Sequence, residues 1–155
     1  MDTLTPVHTF HLARIRLHTA RQIDFVDITD ELDRVVTEAG IVVGLVNLQT
    51  LHTTTAVVVN EHEPLLLDDF REMLQWVIPR AATYRHDDLA RRRDVPPDEP
   101  RNGHAHCRAL LLPTSACLNV VDGRLVLGRW QRVFLVELDG PRRRDLSVVV
   151  TGAAR

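Results

Sequence analysis

The chain has no lysine; all 19 of its basic residues are arginine. This excludes Schiff-base chemistry on a lysine amine and a phosphate loop ending in Gly-Lys-Ser/Thr. Every cationic contact is instead a planar guanidinium fork, suited to carboxylate or phosphate. Cysteine is also scarce: Cys107 and Cys117 match neither a secreted disulfide framework nor a paired-thiolate metal site. No apolar run is long enough to span a membrane. The stretch Met1–Pro6 lacks the basic start and apolar core of a signal peptide. A reduced, cytoplasmic protein with no membrane partner is expected.

What is present fits that expectation. The 21 Asp and Glu residues offset the arginines to a net charge of −2, which argues against a general nucleic-acid binder. With 155 residues, 45% of them hydrophobic, the chain is the size of one domain. Such a domain buries about 70% of its unfolded surface in a single core. Neither an internal repeat nor a linker divides it, and residues 1–7 are expected to form an unstructured tail.

Loose alternation over 7–17 predicts an opening strand, and 23–28 a short second one. Thr29 or Asp30 starts a helix whose apolar residues Leu32, Val35, Val36 and Ala39 recur at helical spacing, with Gly40 closing it. Strands are predicted at 41–48 and 53–59, where Val, Ile and Thr dominate. Pro64 opens a second helix, which runs to Ile78 ahead of Pro79. Residues 79–102, with four prolines and an Arg-rich run, read as a long loop. A short helix over 103–112 stops at Pro113. Strands then follow near 115–121, 124–127, 130–138 and 144–151, with Asp122-Gly123 as a two-residue hairpin turn. The pattern predicts an α+β fold of mostly antiparallel strands with two or three helices.

Several residues stand out from this framework. On a helical wheel Asp69 falls between Met73 and Trp76, inside the arc of Leu65, Leu66, Phe70 and Val77. A carboxylate in such a stripe must be paired, metal-bound, protonated or at an edge that reaches water. Among eight histidines, His52 precedes a Thr-rich strand and His86 is followed by Asp87 and Asp88. His104 and His106 frame Ala105; on a helix they diverge, and His106 is taken as the candidate. Imidazole is the commonest metal ligand, so His52, His86 and His106 form a candidate set, although they lack a zinc-type spacing. His52 and Asn60 cannot share a small pocket along one straight strand, because eight residues span about 27 Å. Asn60 and Glu61 lie instead beside the start of the second helix. At the other end of the chain, Glu137, Asp139 and the run Arg142-Arg143-Arg144 read either as solvated charges around a turn or as an arginine clamp for an anion.

Four segments, LHTTTAVVVNEHEPLLLDDF (51–70), YRHDD (84–88), NGHAHCRALLLPTS (102–115) and DGRLVLGRWQRVFLVELDGPRRR (122–144), resemble the YjbQ family in order and spacing. The resemblance covers about residues 10–152 and departs from the family pattern at Pro113 and Arg129. It implies a single YjbQ-like α+β domain that assembles as a homotrimer. It further implies a metal site at His52, His86 and His106, with Asn60, Glu61 and Asp69 as motif residues and Arg142 and Arg144 as the Arg-rich turn. The activity it implies is a secondary thiamine-phosphate synthase, joining an aminopyrimidine diphosphate to a thiazole phosphate with release of pyrophosphate. Under that reading Arg85, Arg142 and Arg144 clamp phosphate, and a divalent metal, zinc or alternatively magnesium, assists the leaving group. Two alternatives remain open: a zinc-dependent hydrolase with Asp69 or Glu61 as general base, and a non-catalytic trimeric protein that binds a metal or small ligand.

Overall fold

The computed structural model describes residues 7–154. The expected tail over 1–7 lies outside these residues except for Val7, which opens the first strand. The elements follow in the order β1 (Val7–His18), β2 (Asp24–Asp27), α1 (Thr29–Ala39), β3 (Ile41–Thr50), β4 (Thr55–Glu61) and α2 (Pro64–Val77). Two 3₁₀ turns, Arg85–Asp87 and Leu89–Arg91, precede α3 (Gly103–Leu110), β5 (Ser115–Val121), β6 (Arg124–Leu125), β7 (Gln131–Glu137) and β8 (Arg143–Ala154).

The strands form two sheets, of order β1-β8-β3-β5-β6 and β2-β7-β4. Every strand pair among the described residues is antiparallel. One core lies between the sheets, where Val46, Leu48, Leu146 and Val148 of the larger meet Val57, Val133 and Leu135 of the smaller. Helix α1 closes one side of that core through Leu32 and Val36. The opposite face of the smaller sheet packs Ala56, Phe134 and Val136 against Leu67 and Leu74 of α2 and Ala105 and Ala109 of α3. The unbroken apolar run Val133-Phe134-Leu135-Val136 is thereby explained: β7 is covered on both faces and feeds alternate side chains to two cores.

Local chemistry sets the element ends. Gly40 takes a left-handed conformation (φ 67°) that ends α1. Asp122 and Gly123, both at positive φ, make the hairpin turn. Gly44 and Gly152 face each other across β3 and β8, and a Cβ on Gly44 would sit 2.1 Å from the Thr151 carbonyl oxygen. Helix α3 stops two residues short of the expected Leu112, because Leu111 and Leu112 donate to the carbonyls of Arg108 and Ala109 in a tightened last turn before Pro113. Strand β4 begins at Thr55 rather than Thr53, since Thr53 and Thr54 belong to the turn that carries the chain from the larger sheet to the smaller.

The return crossing, from β7 to β8, lies beside that turn. Leu138 N–H donates to the Thr54 carbonyl and Leu51 N–H to the Asp145 carbonyl. Of the places where the chain changes sheets, the β3–β4 and β7–β8 crossings therefore meet at one end of the molecule, next to the start of α3.

Candidate functional site

A buried ion pair anchors this end. The Glu137 carboxylate is fully enclosed and accepts from Arg144 Nε and one terminal nitrogen, each at 2.6 Å. Its Oε1 also accepts the backbone N–H groups of Leu138, Asp139 and Gly140, and its Oε2 accepts from the Thr19 hydroxyl. Burial alone would raise the carboxyl pKa, but the Arg144 hydrogen bonds and the Asp139 N–H outweigh it and hold the group below its ordinary value. Arg144 spends a further donor on the Thr54 hydroxyl. Glu137 and Arg144 are thus scaffold, not solvated turn charges. They fix the 138–142 turn that carries Asp139 and Arg142.

Arg142 stands differently. Its side chain keeps 42% exposure, and Asp139 holds one terminal nitrogen at 2.6 Å. The guanidinium opens onto a cleft of about 390 Å³ whose walls include His52, Thr53, Glu99, Asn102, His106 and Arg144. His52 and His106 also line an adjoining cleft of about 440 Å³ beside Leu110 and Pro113. Both imidazoles are biased toward the neutral form. Burial, reinforced by the Arg144 cation, lowers the pKa of His52; burial and the neighbouring His86 lower that of His106.

The three candidate metal histidines are only partly brought together. The His86 and His106 rings meet edge to face with centroids 4.7 Å apart. His52 shares the cleft with His106, but its Nε2 accepts the Asp145 N–H at 2.8 Å. A neutral imidazole has one lone pair, so His52 has none left for a cation while that bond stands. No group of three or more His, Cys, Asp or Glu side chains among the described residues is arranged to hold a metal ion. The carboxylates that follow His86 in sequence do not orient it either, since Asp87 accepts the Gly103 N–H instead. His86 faces Arg92 and Glu99, which pair with each other at 2.7 Å. Within one chain these residues do not fit a three-imidazole metal centre.

The remaining sequence candidates lie elsewhere. Glu61 borders a separate cleft of about 490 Å³ with Asp27, Arg132 and Trp130, and Asn60 faces a small apolar hollow beside Phe70 and Met73. Six residues of β4 separate Glu61 from the Glu137 end, about 20 Å along the strand. Arg85 is exposed and borders none of these clefts. Asp69 is exposed as well, so of the alternatives its place on the wheel allowed, the carboxylate that reaches water is the one observed. Helix α2 turns Leu67 and Leu74 inward, whereas Leu65, Met73, Trp76 (83% exposed) and Val77 stay on the outside with Asp69. The helix carries leucine on more than one face, so the wheel alone did not show which apolar stripe meets the sheet.

Sequence reasoning missed Glu99 and Asn102 as parts of the cleft. Asn102 had a usable signal, because it is a capping-type residue directly before a helix. His104, the partner of His106 in sequence, is buried on the other side of α3 with its ring centroid 6.3 Å from that of Tyr84.

A family profile described as "UPF0047 protein YjbQ-like" matches residues 13–153. A UPF0047 protein of Methanothermobacter thermautotrophicus is 37% identical over 136 residues, covering 88% of each chain. One from Archaeoglobus fulgidus is 40% identical over 134 residues, covering 86% of this chain and 96% of its own. Among solved structures, a YbjQ-like protein of unknown function from Sulfolobus solfataricus P2 superposes with a TM-score of 0.84 at 35% identity, covering 94% of this chain and 99% of that one.

Proposed function

The chain belongs to the UPF0047 YjbQ-like family, and on that premise we propose that it binds a phosphorylated small molecule in the cleft beside the β3–β4 and β7–β8 crossings. The observation that carries this reading is the exposed Arg142 guanidinium, braced by Asp139 and flanked by the neutral imidazoles of His52 and His106. A positioned guanidinium recognises phosphate oxygens, and the neutral imidazole of His106, unlike that of His52 with its lone pair on the Asp145 N–H, is free to take up a proton. Arg144 is a positioning residue here, because its Nε and one terminal nitrogen are committed to Glu137 and Thr54 and the side chain is buried.

The synthase reaction that the family resemblance implies makes the same electrostatic demand. When an aminopyrimidine diphosphate is joined to a thiazole phosphate, the departing pyrophosphate carries away the negative charge, which Arg142 is placed to stabilise. Asn60, Glu61 and Asp69 enter such chemistry only if a second copy of the chain brings its opposite end to the cleft. The exposed Leu65, Met73 and Trp76 beside Asp69 support such a copy-to-copy contact, and a homotrimer is the assembly proposed. A divalent cation, zinc by imidazole chemistry or magnesium with a diphosphate, would rest on His86 and His106 and need further ligands from that second copy.

Calorimetric titration with inorganic pyrophosphate tests the reading. Saturable binding that weakens about tenfold or more in Arg142→Ala is expected, since a hydrogen bond to a charged group is worth about 1.5–3 kcal/mol. Equal binding by both proteins would overturn it. Elemental analysis of untagged protein and light scattering test the cation and the trimer separately.

A further inference from the structure

Asn102 immediately precedes α3, where an asparagine normally turns its side-chain oxygen onto the first free N–H groups of the helix. Here it makes no capping bond. Its Nδ2 donates to Asp139 Oδ2 at 3.0 Å, which fixes the amide orientation because a carboxylate only accepts. Its Oδ1 is then left buried without any partner, in a side chain that is 5% exposed and lines the Arg142 cleft. An unmet buried acceptor costs free energy. The same Asp139 oxygen holds Arg142 at 2.6 Å, so the Asn102 amide group and the guanidinium are bound to one carboxylate oxygen.

We infer that Asn102 is a specificity residue, and that the ligand carries a hydroxyl or amino group within a few bonds of its phosphate. The phosphate meets Arg142, and the neighbouring O–H or N–H donates to Asn102 Oδ1. A phosphate ester that lacks the donor leaves the acceptor stranded and is rejected, as sites built to hydrogen-bond a substrate group reject analogues without it. The inference rests on the anion-binding reading of the cleft and narrows its ligand class.

The test titrates the intact protein with O-phosphoethanolamine and glycerol 3-phosphate, each against ethyl phosphate, which has the phosphate alone. The donor-bearing esters are expected to bind about tenfold tighter or more. In Asn102→Leu that ratio should fall to about one, whatever happens to absolute affinity. Tight but equal binding of all three by the unaltered protein overturns the role of Asn102 and leaves the anion site standing. No binding of any of them overturns both. A preference that survives in Asn102→Leu also overturns the assignment. The ligand comparison in the unaltered protein decides the matter even if that variant does not fold.

Discussion

The two ends of β7 hold charge in opposite ways. At Glu137 the carboxylate is enclosed and its hydrogen-bonding capacity is met by Arg144, Thr19 and three backbone N–H groups. At the other end Asp27 is shared among Arg132 at 2.7 Å, His62 at 2.9 Å and Thr29, with Arg132 and His62 still partly open to water. The first arrangement is rigid and costly to break; the second is screened. The comparison shows why the useful guanidinium in the turn is Arg142 and not Arg144. Burying Arg144 with Glu137 builds the turn that presents Arg142, and the binding charge is the one left half in solvent.

Breaking the Glu137 end should have the largest effect. Glu137→Ala strands Arg144 in the interior, and a loss of about 3–5 kcal/mol is expected in urea denaturation, as for other severed buried pairs. Asp27→Asn should cost less, about 1–2 kcal/mol, because its partners keep access to water. A larger loss at Asp27 than at Glu137 would invert the comparison.

Acid titration sharpens it. Burial pushes the Asp27 carboxyl up, but hydrogen bonds from Arg132, Thr29 and His62 bring it down from 3.8 to about 2. Asp27 therefore stabilises the fold at pH values above 3.8, and that contribution is lost as the pH falls toward 2. The histidines act in a higher window. Folded His52 and His106 resist protonation relative to an ordinary value of 6.5, so unfolding takes up protons below it. The stability they confer is present above pH 6.5 and is lost as the pH falls through their lower folded pKa values. Melting temperature should accordingly begin to drop below pH 6.5, and His52→Asn should flatten part of that slope. The smallest effect is expected at Arg85, whose exposed side chain borders none of the clefts described above. Arg85→Ala should change stability by less than about 0.5 kcal/mol and leave pyrophosphate affinity unaltered.

Much of the architecture was legible because the periodicity is clean. A strand was expected near 130–138, although its burial on both faces was not read from Val133-Phe134-Leu135-Val136, and Gly40, Pro64 and Asp122-Gly123 marked the element ends. The site was less so, for three physical reasons. Glu137 and Arg144 look like surface charges in a turn, and only the crossing of two sheets encloses them. Asp69 sits among apolar residues that the chain leaves on its outer surface. His52 looks like a free ligand until β8 brings the Asp145 N–H to its lone pair. Each depends on a neighbour distant in sequence, which local pattern does not encode. Asn102 differs: its position announces a helix cap, and its failure to cap is what exposes its second role.

The most direct test of the central claim is to follow the histidine ring resonances by NMR while inorganic pyrophosphate is added. The account predicts saturable shifts confined to His52, His106 and the adjacent His86, abolished by Arg142→Ala with the remaining spectrum intact. Shifts centred instead on His62, beside Arg132 and Trp130, would place the anion at the wrong end of β7 and contradict it.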